Sequence, residues 1–162
     1  MGFPKNFVWG VASSSYQVEG AWNRDGKGLS VWDTYVHEPG HIQNQDTGDT
    51  ACDQYGHIKE DIALMAEMQI KAYRFSLNWA RLIPDGTGAV NQKAVELYRS
   101  MLLSMKENGI TPYITLFHWE FPQALQDRGG WLNPDVVDWF GNYARAAAES
   151  FSDLCENFIT IN

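Results

Sequence analysis

Basic residues are scarce in this chain: 12 Lys and Arg stand against 20 Asp and Glu over 162 residues, a formal net charge of −8. No Lys/Arg cluster interrupts that balance, which excludes a surface built to neutralise a phosphate backbone and so disfavours nucleic acid as a partner. Cysteine is scarcer still. Cys52 and Cys155 are the only two, and their separation excludes a disulfide framework and a closely spaced zinc knuckle, so both read as buried thiols. No apolar run approaches the ~20 residues of a membrane-crossing helix. The amino terminus, MGFPKNFVWG, has neither a basic lead nor an apolar h-region, and no Asn-x-Ser/Thr acceptor occurs. The expectation is a soluble intracellular protein, cytoplasmic rather than secreted, with no membrane partner.

What the chain does have is apolar and aromatic material, 44% and 14% of its residues. That is enough to bury one sizeable core, so residues 1–162 are expected to form one unit. Residues 110–119, ITPYITLFHW, read as a strand buried on both faces that delivers His118 and Trp119 at its carboxyl end. Three other segments repeat the plan. Residues 7–12 (FVWGVA) lead into Ser13, Ser14, Ser15, Tyr16 and Gln17; residues 71–77 (KAYRFSL) end at Asn78 and Trp79; residues 158–161 (FITI) end at Asn162.

Helices are expected between these strands. Ile58, Ile62, Met65 and Met68 recur at helical spacing over residues 54–69. Asn91 is placed to cap a helix whose inward face is Ala94, Leu97, Tyr98, Met101 and Met105, with Gly109 as its left-handed stop. Asn133-Pro134 opens a third, with Phe140, Ala147 and Phe151 on its apolar stripe. Residues 19–53 show no period and read as a long ordered loop. The order β-α-β-α-β-α-β calls for a parallel sheet, either doubly wound or part of a (β/α)8 barrel. The turn after the first strand, Gly10-Val-Ala-Ser-Ser-Ser, lacks the glycine spacing of a nucleotide-binding sheet. An α/β fold of the TIM-barrel kind is therefore expected, supplying the first four strands and three helices of a barrel that typically needs about 250 residues.

Several motifs carry less than their letters suggest. His37-Glu-Pro-Gly-His41 matches the zinc-protease pattern, but Pro39 and Gly40 break the helical turn on which both histidines must share a face, so no metal site is assigned. The glycines of residues 20–28 do not have phosphate-loop spacing, and His57 beside Glu60 and Asp61 reads as a solvated or capping residue. Trp9, Trp32, Trp131 and Trp139 read as core. The strand-end residues carry more. Gln17, Asn78, Trp79, His118, Trp119 and Asn162 lie at one level of the sheet. Neutral donors and acceptors beside aromatic faces suit a hydroxyl-rich ring such as a sugar. Arg74, inside the second strand, needs a carboxylate partner, and none is evident in this chain.

FVWGVASSSYQVEG, GDTACDQY, YRFSLNWARLIPDGTG, TLFHWEFPQAL, GGW and ITIN, in this order, resemble the amino-terminal half of glycoside hydrolase family 1, the β-glucosidase family. The resemblance implies a (β/α)8 barrel that hydrolyses β-linked glucosides and related glycosides with retention and without a cofactor, using one glutamate as acid/base and another as nucleophile. It also implies that Gln17, His118 and Trp119 bind the hydroxyls of the glycone. Asn162 would meet the 2-hydroxyl, and Arg74 would hold the nucleophile's carboxylate. The family motif continues Asn-Glu-Pro, one residue beyond Asn162, so both catalytic glutamates would come from a carboxyl-terminal half of the barrel as partner. Glu19, Glu38 and Glu120 match neither glutamate motif. Glu120 stands for the usual aspartate, Asn78 for a small residue, Ala80 for proline and Phe158 for tryptophan. Two other readings stay open: a non-catalytic sugar-binding protein and a self-associating half-barrel.

Overall fold

The computed structural model describes residues 2–162. Its frame is a sheet of four parallel strands: β1 (Gly10–Ala12), β2 (Ala72–Ser76), β3 (Thr111–Phe117) and β4 (Phe158–Ile161). Their order in space is their order in the chain. That decides between the two architectures, because a doubly wound sheet reverses its strand order at a switch point, whereas a barrel adds every strand on the same side. The sheet is the first part of a (β/α)8 barrel.

Seven helices connect the strands among the described residues: α1 (Ser15–Val18), α2 (Val31–His37), α3 (Gln54–Glu67), α4 (Trp79–Leu82), α5 (Gln92–Glu107), α6 (Gln123–Gln126) and α7 (Val136–Phe151). The long ones, α3, α5 and α7, cover one face of the sheet. Alternation along β2 and β3 turns Tyr73, Phe75, Ile114 and Leu116 to that side, where they meet Ile58 and Ile62 of α3, Tyr98, Met101 and Met105 of α5, and Tyr143 and Phe151 of α7. Each fully buried side chain of this size contributes about 1.5–3 kcal/mol over its exposed state. The opposite face carries Arg74, Ser76, Tyr113 and Thr115.

Local signals explain why α5 lies where it does. The Asn91 side chain accepts the Lys93 N–H at 3.1 Å and closes the first turn, and Gly109 ends the helix at φ +66°, a conformation that costs glycine little. The third crossover starts later than its sequence suggests. Asn133 accepts the Asp135 N–H at 2.9 Å, and the chain makes one tight turn through Pro134 before α7 begins at Val136.

Four expectations are corrected. The first strand is three residues long; before it the rings of Phe3, Phe7 and Trp9 pack on one another with centroids 4.5–4.8 Å apart, while the Trp9 carbonyl still accepts the Lys71 N–H at 3.0 Å. Residues 19–53 are not wholly loop. Ser30 and Asp33 form a reciprocal capping box that starts α2, and buried Lys27 pairs with Asp33. Of the four tryptophans expected in the core only Trp139 is buried. Trp9, Trp32 and Trp131 are 54%, 38% and 44% exposed, lying at the sheet edge, on the outer face of α2, and one-sided against Phe117 and Phe121. Cys155 is buried but Cys52 is exposed, in the surface turn before α3. No helix among the described residues is long and apolar enough to cross a membrane.

Candidate active site

The carboxyl ends of β1 and β3 are tied together by a carboxylate. Glu120, 1% exposed, follows His118 and Trp119 and accepts two hydrogen bonds on Oε1, from the Ser15 hydroxyl at 2.6 Å and the Tyr16 N–H at 2.9 Å. The Ser15 N–H in turn donates to Ser76 Oγ at 2.8 Å, at the end of β2. Ser15 and Tyr16 open α1, so the carboxylate fills the first turn of the helix that carries Gln17.

Gln17, His118 and Trp119 consequently line one cleft, together with Ser14, Tyr16 and Trp32, with a volume of ≈ 230 Å³. Trp119 is 55% exposed and packs edge-on against Phe117 at 5.9 Å. Its φ of +75° is an outlier for a bulky residue, a strain that persists only where the surroundings over-determine it and that favours a functional position. Tyr16 and Trp32 stack at 5.7 Å on another wall. His118 Nδ1 is buried without a hydrogen-bond partner among the described residues. Burial, and then the nearby positive charge of Arg74, hold its pKa below the ordinary 6.5, so the ring is neutral at pH 7 and offers one donor and one acceptor.

Arg74 and Asn162 form a second group beside the cleft rather than lining it. The Arg74 guanidinium donates from Nε to Thr115 Oγ1 at 2.8 Å and from Nη2 to Asn162 Oδ1, while the Asn162 N–H continues the ladder to Phe117 O at 3.0 Å. The expected carboxylate partner of Arg74 is absent among the described residues; both of its side-chain acceptors are neutral. Its charge is left uncompensated on the inner face. Asn78 and Trp79, at the same strand level in the sequence, turn the other way: both are buried, Trp79 stacks on Tyr143 at 4.5 Å, and Asn78 caps α4 by accepting the Arg81 N–H at 3.1 Å.

Two parts of the site escaped the sequence reading. Glu120 matched no catalytic motif, and only its position directly after His-Trp hinted at proximity. Glu19 was likewise passed over. It is 5% exposed, receives the Arg81 guanidinium and accepts the Tyr98 hydroxyl at 2.8 Å. Arg81 also donates to the carbonyls of Gly20 and Ala21, at 3.1 and 2.9 Å, which locks the chain beyond α1. Glu38, the third carboxylate set aside, is exposed on the loop after α2. His37 and His41 do not converge: His37 meets Asp49, and His41 stacks on Tyr35.

Parallel strands in sequence order, with a polar and aromatic cleft at their carboxyl ends, define the first part of a (β/α)8 barrel with its cleft on the face where such barrels place their sites. The match is at the level of a family: the model of glycosyl hydrolase family 1 covers residues 1–162, and the chain belongs to that family. It is 49% identical to "Beta-glucosidase A" of Thermotoga maritima over 99% of this chain and 36% of that protein. It is 47% identical to "Lactase/phlorizin hydrolase" of Rattus norvegicus over 99% of this chain and 8% of that protein. The solved structure of the Thermotoga maritima β-glucosidase in complex with deoxynojirimycin superposes with a TM-score of 0.97 at 49% identity, over 99% of this chain and 37% of that one. The chain thus spans little more than a third of the length of the Thermotoga relatives it matches.

Proposed function

We propose that this chain, residues 1–162, forms the amino-terminal half of a single (β/α)8 retaining β-glycosidase acting on β-linked glucosides or related glycosides, and that it supplies much of the pocket for the glycone. In this reading Gln17 and His118 hydrogen-bond the glycone hydroxyls, Trp119 presents an aromatic face to the ring, and Asn162 meets the 2-hydroxyl. Arg74 orients the nucleophile's carboxylate. The observation that carries the reading is the single cleft at the strand ends shared by Gln17, His118 and Trp119. The names of the relatives agree, among them a "1,4-beta-D-glucan glucohydrolase" of Thermotoga neapolitana.

Retaining hydrolysis needs two carboxylates about 5–5.5 Å apart, one to protonate the leaving oxygen and one to attack the anomeric carbon. Glu19 and Glu120 are buried and already engaged, so neither fills these roles. Both catalytic glutamates are assigned to a carboxyl-terminal half of the barrel. The uncompensated guanidinium of Arg74 suits an incoming carboxylate, because a cation at ion-pair distance keeps such a group ionised and ready to attack. The open edges of β1 and β4 suit the strands that would close the barrel.

The test is turnover of an aryl β-glucoside. This chain alone is expected to act no faster than buffer, and mixing it with a carboxyl-terminal half is expected to restore hydrolysis. Turnover by this chain alone would overturn the assignment. Glucose binding without turnover in the assembled barrel would favour a non-catalytic sugar-binding protein.

A further inference from the structure

Gln17 stands on a helix too short to hold itself, and we propose that Glu120 is the positioning residue that sets Gln17 against His118 and Trp119 in the cleft; the proposal rests on the sugar-binding reading of that cleft. α1 has four residues, too few for a helix to be stable from its own backbone bonds. A side chain at the N-cap normally accepts from the first turn, but Ser14, which stands there, makes no such bond. Glu120 does this from 104 positions away. The Tyr16 N–H, which has no acceptor within the helix, ends on Glu120 Oε1 at 2.9 Å, and the Ser15 hydroxyl joins it there at 2.6 Å.

The other end of this strut is anchored separately. Glu120 directly follows Trp119, and the chain beyond it is bonded to the entry of α2: the Val31 N–H donates to Phe121 O and the Gln123 N–H to Leu29 O, both at 2.8 Å. The segment that carries His118 and Trp119 is therefore the fixed partner, and α1 is the part that is placed. Glu19 holds the far end of α1, but its bonds lead away from the cleft to Arg81 and Tyr98. Among the described residues, the two bonds to Glu120 are the side-chain hydrogen bonds that join α1 to the His118–Trp119 segment. They also restrain the residue next to Trp119, whose φ of +75° persists only where its surroundings over-determine it. Glu120 is buried, and both donors belong to this chain, so the strut is complete without the rest of the barrel. What the placement needs is an acceptor oxygen at this reach, which an amide offers as a carboxylate does.

The experiment compares this chain with Glu120→Met, which keeps the reach without the acceptor, Glu120→Gln, which restores the acceptor, and Ser15→Ala, which removes one donor from the opposite side. Glucose affinity is read by titration, and side-chain placement by the NMR signals of the Gln17 amide and the Trp119 indole. Glu120→Met is expected to weaken glucose roughly tenfold, the scale of one misplaced hydrogen bond, and Ser15→Ala about threefold. Glu120→Gln is expected to rescue the affinity. The Gln17 and Trp119 signals are expected to move in Glu120→Met and Ser15→Ala and to return in Glu120→Gln, while the indole N–H of Trp79, bonded in the core to Gly86 O at 3.0 Å, stays in place throughout. Parent affinity with an unmoved Gln17 amide in Glu120→Met would overturn the proposal. So would a displaced Trp79 signal, because Glu120 would then support the fold rather than the cleft, and so would an equal loss in Glu120→Gln, which would assign the effect to charge. If Glu120→Met does not fold, Ser15→Ala decides by the same readouts. If the parent does not bind glucose, the cleft reading falls by itself, and the Gln17 amide signal still decides whether Glu120 places that residue.

Discussion

Glu19 and Glu120 are both buried near the strand ends, and their surroundings solve the same problem in opposite ways. Around Glu19 the answer is a counter-charge: Arg81 reaches its carboxylate, and the guanidinium's other donors are spent on carbonyls. Around Glu120 the answer is neutral donors: among the described residues no cation pairs with it, and the Ser15 hydroxyl and the Tyr16 N–H donate to its Oε1. Burial dominates there and pushes the carboxyl up to about 7, although the hydrogen bonds pull the other way. The first region is a buried ion pair. The second changes charge near neutrality, and it does so in the segment that holds the cleft together.

Breaking the counter-charge is expected to have the largest effect. Arg81→Met leaves Glu19 buried with the Tyr98 hydroxyl as its remaining side-chain donor among the described residues, and about 3–5 kcal/mol of stability is expected to be lost in urea unfolding. Adding Glu19→Gln to that variant is expected to recover part of the loss, since the orphaned charge is then gone. Equal stability of Arg81→Met and the parent would erase the contrast.

The Glu120 region is expected to respond to pH instead. Folding raises its pKa from an ordinary 4.5 to about 7, so between those values the native state binds the proton more tightly than the unfolded chain. This group's contribution to stability is therefore full below pH 4.5, falls as pH rises to about 7, and is level above that. The whole change is at most about 3 kcal/mol. Glu120→Gln keeps an oxygen for Ser15 and Tyr16 and is expected to remove this slope, so that it melts higher than the parent at pH 8 and not at pH 4.5. Melting curves that stay parallel across that range would refute it.

Ser15→Ala is a smaller change that sharpens the same comparison. It removes one donor from Glu120, at an expected cost of about 1–3 kcal/mol at pH 8, where the acceptor is charged, and less at pH 5, where it is neutral. The smallest effect is expected at His118, whose pKa is depressed by burial and Arg74. Glucose affinity is expected to hold steady as pH falls to 6.5 and to decline only below it, when the imidazole takes up a proton. An NMR titration of the ring with a midpoint above 6.5 would contradict this.

The sheet and its crossovers were largely legible because their signals are local. An apolar run with β-branched residues marks β3, and helical spacing marks the inner faces of α3 and α5. The cleft was legible in part: His118 and Trp119 from their place at a strand end, Gln17 from its place after the first. Other features had no local signature. Trp32 and Trp131 look like core in any composition-based reading, yet what covers a tryptophan depends on neighbours far along the chain. The capping box of Ser30 and Asp33 was readable in principle, but the aperiodic residues around it hid a helix of barely two turns.

By itself the sequence determined the alternation of strands and helices, the faces that pack between them, and the ordered motifs that identify the family, since periodicity and motif order are properties of neighbouring residues. Only the tertiary structure decided which carboxylates are buried and what they meet. Glu19 finds Arg81 across 62 positions and Glu120 finds Ser15 across 105. Whether a buried carboxylate holds its charge is set by solvent exclusion and by donors brought from that distance, and a linear reading of residue types contains neither.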